Sequence, residues 1–159
     1  MEPLDLSKGR PRATRAELAG VTFLPRSIDK FRASLPGGNL AGYTIEGFTG
    51  KMLDDLGITR EAMRDVVADA QSDEEVARYV REHAVAGGAD AWNGFVLNRE
   101  LYLGNRTEAI AENPWLAEHP EITLSLDFLQ YMEDHILERY AALRSQLLVL
   151  RVVPREVLQ

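Results

Sequence analysis

Cysteine is missing from all 159 residues. That excludes disulfides, thiol nucleophiles and cysteine-ligated zinc or iron–sulfur centres, and it agrees with a cytoplasmic location. No stretch of about 18 consecutive apolar residues occurs, so no helix is expected to cross a bilayer, and MEPLDLSKGRPRATR at the start lacks the apolar core of a signal peptide. Phosphate-binding glycine patterns are absent: GGNLAG at 37–42 follows no strand and carries no Lys-Ser/Thr. No serine stands in a nucleophile-elbow sequence. Strand-like alternation is nearly absent as well, which leaves a soluble, helical chain held together by packing.

Histidine is scarce, and its spacing excludes the usual metal motifs. His83, His119 and His135 form neither His-Glu-x-x-His nor any Glu-x-x-His pair, so no metal and no cofactor are expected. His83 shares a helix face with Val76, Tyr79 and Val80 and reads as a core histidine. His135 borders a face carrying Asp127, Asp134 and Glu138, which reads as a solvated acidic stripe unless another segment adds carboxylates.

What is present is globular: 45% hydrophobic and 27% charged residues, enough to bury one core. The formal charge of −7 is unevenly placed, since residues 1–32 carry seven Lys/Arg against four Asp/Glu while the remainder is net acidic. The arm with Lys8, Arg10, Arg12 and Arg15 is expected to lie on the acidic body or to be mobile. It has no aromatic residue to stack on a base, so nucleic acid is not the expected partner.

Helix signals recur along the chain. Pro25 suits a first turn, predicting a helix over 26–35 that stops at Pro36-Gly37-Gly38. Thr49 is placed to cap a helix ending at Gly57, Thr59 to cap the next, and Ser72-Asp73-Glu74-Glu75 forms a capping box. Asp90 begins a helix expected to run to about 103, with Trp92, Phe95, Val96, Arg99 and Leu103 on one side. A short piece over 107–112 precedes Pro114, and a long amphipathic helix starts at Thr123 or Ser125. The fold expected is all-α, a single compact domain of about seven short helices with a long C-terminal helix and an apolar tail. Residues 1–23 form the basic arm and 24–146 the helical domain. The tail at 147–159, which opens on LLVLRVV, is a possible oligomer contact.

LPRSIDKFRA after Gly20, GFTGKMLDDLGI, SDEEVARYV, and AWN before a hydrophobic helix resemble, in order and spacing, a bacterial family catalogued only as a domain of unknown function. The resemblance runs from about residue 4 to residue 135 and implies a small soluble bacterial protein. It brings no catalytic residues with it, and LERYAALRSQLLVLRVVPREVLQ lies outside it.

The candidate site is read from charge placement. At 100° per residue, Leu24, Ile28, Phe31 and Leu35 share one side of the first helix, and Arg26, Asp29 and Lys30 lie opposite. One reading is a solvated face with an ion pair worth ~0.3 to 0.5 kcal/mol. The other is an anion site in which Arg26 and Lys30 receive a phosphate or carboxylate and Asp29 orients Arg26. Arg99, inside an apolar stripe, needs a partner, with Asp29 and Glu46 the first candidates. Asn93 could line a pocket or tie down a neighbouring loop. No residue is assigned a catalytic role. Two functions follow: a non-catalytic, self-associating module binding a protein partner or small acidic ligand, or a small enzyme with an anion pocket between the first helix and the Trp92 helix. In the enzyme reading Asp29 is the acid or base.

Overall fold

The computed structural model describes residues 1–135. They are mostly helical: α1 (Leu24–Ser34), α2 (Phe48–Leu56), α3 (Arg60–Asp69), α4 (Asp73–His83), α5 (Gly88–Val96) and α6 (Arg106–Glu112), with 3₁₀ turns at Leu101–Gly104 and Pro114–Glu118. A further helix, α7, begins at 125 and is described to 135. The expected long C-terminal helix and apolar tail fall mainly on residues outside the described ones. No described helix is long and apolar enough to cross a membrane. The all-α expectation needs one amendment, a hairpin of β1 (Glu17–Leu18) and β2 (Val21–Thr22) paired antiparallel.

The main core forms where α1 crosses the hairpin and α2 packs on α5. Phe23, Leu24, Ile28, Met52, Leu56 and Trp92 lie at its centre, each no more than 1% exposed. Phe23, Phe48 and Trp92 meet edge to face at 5.9–6.3 Å, the arrangement ring quadrupoles favour. Two smaller clusters flank this core: Leu6 of the arm with Ala33 of α1, Ala41 and Tyr43, and Leu101, Ala109, Leu116 and Ile122 beneath α7.

Most helix boundaries follow the local signals. Pro25 sits in the first turn of α1, Thr59 Oγ1 accepts from Ala62 N at 3.1 Å, and Gly57 ends α2 at φ 68°, where a side chain would be strained. Three local expectations are corrected. Gly47 is the N-cap of α2, and the Thr49 hydroxyl pairs instead with Ser27 Oγ at 2.9 Å inside the core. Ser72 caps α4 without a side-chain bond, while Glu75 Oε2 accepts from Gln71 N. The helix from Asp90 does not reach 103: α5 ends at Val96, because the backbone beyond it bonds another segment, Leu101 N to Thr123 O and Ser125 N to Arg99 O, both at 2.9 Å.

Candidate functional site

The charges on α1 are buried. Arg26 is 0% exposed, Lys30 1% and Asp29 5%, which overturns the solvated-face reading. Periodicity gave the right faces of α1, but two segments cover the polar one. From α7, Glu133 takes both cations: Arg26 Nε donates to its Oε2 at 3.0 Å and Lys30 Nζ to its Oε1 at 2.7 Å. From the arm, Arg12 grips Asp29, with its backbone N and Nε on Oδ2 at 2.8 and 3.0 Å and Nη2 on Oδ1 at 2.9 Å, and it also pairs with Asp73. The two halves join where Arg26 Nη1 donates to Arg12 O at 2.8 Å.

These interactions bind the arm and α7 to the body. Arg15 pairs with Asp127 at 2.9 Å, Arg10 with Asp134 at 3.6 Å, and Gln130 Oε1 accepts from Thr14 N at 2.7 Å. The arm therefore lies on the acidic body. Asp127 and Asp134, expected to form a solvated stripe, are its docking points. Glu138 lies outside the described residues.

Electrostatically the cluster is uneven. Its outer half sets Arg12 against two carboxylates. Its inner half sets Arg26 and Lys30 against Glu133 alone, and among the described residues Glu133 is the one hydrogen-bond acceptor of Lys30 Nζ. Burial lowers the Lys30 pKa from the usual lysine value, and Glu133 opposes that shift. The Tyr43 ring lies 5.7 Å from the Arg26 guanidinium and 5.9 Å from Lys30 Nζ. Its hydroxyl is buried without a partner among the described residues, and burial pushes its pKa up to about 12.

Glu133, although buried, also borders open space. It forms part of the wall of a cleft of about 480 Å³ between residues 44–48 and α7, with Phe48, Leu101, Phe128 and Leu129 as apolar lining and the exposed Thr44 and Glu46 among its polar lining. Volume and lining suit a small ligand with an apolar body. No basic side chain lines this cleft; Arg26 and Lys30 are paired to its Glu133 and Arg60 to its Glu46.

The remaining candidates lie elsewhere. Asn93 ties down the hairpin, accepting from Thr22 N at 3.0 Å and donating to Gly20 O at 2.7 Å. Arg99 is exposed beyond the end of α5 and rests over the Phe95 ring at 5.1 Å; its proposed partners are taken, Asp29 by Arg12 and Glu46 by Arg60. His83 is exposed and stacked on Tyr79 at 4.0 Å, so the core-histidine expectation is corrected. Among the described residues no cluster of three or more His, Asp or Glu is arranged to hold a metal ion.

Sequence reading missed Glu133, although a signal was there. Leu126, Leu129 and Glu133 follow i, i+3, i+7 spacing, placing a carboxylate in the apolar stripe of α7, the same argument that picked out Arg99. It also missed Arg106, whose Nη2 donates to Leu116 O at 2.7 Å and His119 O at 2.8 Å and so shapes the turn leading to α7.

No curated protein matches the chain. A family model does, over residues 8–135, close to the span of about 4 to 135 that the resemblance covers. The arm from residue 8 onward, the buried cluster and the described part of α7 fall within that match, and the chain belongs to the family described as a domain of unknown function, DUF5069.

Proposed function

We propose that this protein is a non-catalytic helical module that binds a small acidic ligand in the cleft between residues 44–48 and α7. The observation that carries the reading is the placement of Glu133, which walls the cleft on one side and holds two buried cations on the other. Binding is favoured over acid–base catalysis because both oxygens of Asp29 are bonded to Arg12, so the group proposed as acid or base is committed to the fold. Thermal-shift screening against a metabolite library tests the reading, since a ligand that binds the native state raises the melting temperature by mass action. Thr44 lines the cleft and is exposed, so Thr44→Trp should fill the cleft and abolish the hits. Hits that survive Thr44→Trp would remove the cleft from the proposal.

The reading includes self-association through the LLVLRVV segment at 147–153, because a run so nearly apolar needs a covering surface. Deleting 147–159 should lower the mass seen by light scattering, and a monomer before and after deletion would end that part. A bacterial source is supported by the resemblance, and a cytoplasmic location agrees with the cysteine-free composition.

A further inference from the structure

Resting on that reading, we infer that Arg26 and Lys30 are the anchor for the carboxylate of an apolar monocarboxylic acid, and that Glu133 is a built-in carboxylate occupying the anchor in the ligand-free protein. Three observations carry this. The inner half of the buried cluster has two cations and one carboxylate, an excess of positive charge at side chains 0% and 2% exposed. Two donors are underused beside it: among the described residues Lys30 Nζ gives one hydrogen bond and the hydroxyl of Tyr43, whose ring centroid lies 5.7 and 5.9 Å from the two cations, gives none. The group filling the anchor is also one that lines the cleft, whose other walls combine the apolar side chains of Phe48, Leu101, Phe128 and Leu129 with Thr44, Tyr102, Ser125 and Glu46, the last paired with Arg60.

An acid entering the cleft meets Glu133 before it meets the cations. Two carboxylates cannot share the same donors without repulsion. The incoming carboxylate therefore takes the Arg26 and Lys30 donors while Glu133 turns outward into the space the cleft provides, and the acid's hydrocarbon lies along Phe128 and Leu129. Arginine suits this task because its fork can present two parallel N–H groups to either carboxylate. The exchange conserves charge at the anchor, so ligand affinity is set by competition with Glu133 as well as by burial of the chain. Weakening the internal competitor should strengthen the external one.

The test compares hexanoate, hexanol, hexylamine and acetate at fixed ionic strength by calorimetry and thermal shift. Wild type should bind hexanoate in preference to hexanol and hexylamine. Glu133→Gln should tighten hexanoate at least tenfold, and adding Lys30→Met should reverse most of that gain. Glu133→Asp, which withdraws the carboxylate by one methylene, should tighten hexanoate in the same direction and serves if the glutamine variant does not fold. Equal binding of hexanoate and hexanol by both Glu133 variants overturns the inference, as does acetate binding as tightly as hexanoate, because the cleft then contributes nothing. Neutral or basic library hits abolished by Thr44→Trp, with no response to hexanoate in any variant, would reject the anchor while leaving the cleft as the ligand site.

Discussion

Arg26, Lys30 and Glu133 show how a polar helix face becomes core. Each charge loses water on burial, and the triad is stable only while every partner stays. Removing one partner strands a buried charge, so Arg26→Leu should cost about 3 to 5 kcal/mol in urea unfolding. The triple variant Arg26→Met, Lys30→Met, Glu133→Leu should recover most of that loss, since well-packed apolar replacements of a buried ion cluster are commonly neutral or stabilising. Tyr43 is the opposite case, a buried hydroxyl with nothing to bond among the described residues. Tyr43→Phe removes the unsatisfied group and should stabilise by about 1 kcal/mol. Its pH signature has a definite sign. Burial raises the pKa from 10.0 to about 12, so the folded state holds the phenolic proton more tightly than the unfolded state does. The stability this contributes is complete below pH 10 and is lost as pH climbs through about 12. Stability of Tyr43→Phe should fall less over that interval, and a late phenolate step at 295 nm should disappear.

Elements were more legible in the sequence than their surroundings. Pro25, Thr59, Gly57 and the apolar spacing of α1 report local backbone chemistry, and each marks the boundary or face it suggested. The burial of Arg26 and Lys30 was not legible, because the carboxylate that covers them is 107 and 103 residues away in sequence. The same cause cut α5 short: nothing between Leu97 and Leu103 forbids a helix, but Thr123 and Ser125 compete for its backbone groups. Two glycines of α5 separate local propensity from packing. A Cβ at Gly88 would lie 2.4 Å from Asp55 O, so Gly88→Ala should push α2 and α5 apart and cost about 1 to 3 kcal/mol. At Gly94 nothing lies within 4 Å, and Gly94→Ala should stabilise by about 0.5 to 1 kcal/mol through the better helix propensity of alanine. Both follow from chemical denaturation, and opposite signs within one nine-residue helix are the decisive result.

For the molecule as a whole, the basic head and the acidic remainder predict an association that the structure resolves into particular bonds. The arm and α7 are far apart in sequence but share one set of interactions: Arg10 with Asp134, Arg15 with Asp127, Thr14 with Gln130, and Arg12 O with Arg26, which in turn holds Glu133. Neither segment has that network without the other. The pairs of Arg10 and Arg15 involve side chains 46% and 49% exposed, so they are screened by salt, whereas the Glu133 contacts are shielded by burial. Hydrogen exchange should then show residues 125–135 and the arm opening together, at a free energy below that of α3 and α4. Deleting residues 1–16 should abolish protection in 125–135 and leave α3 and α4 protected. Protection in 125–135 that outlasts the deletion would mean α7 is held by apolar packing alone, Leu126 and Leu129 on the main core and Phe128 and Tyr131 on the cluster of Leu101, Leu116 and Ile122, and the buried ion cluster would no longer account for where that helix sits.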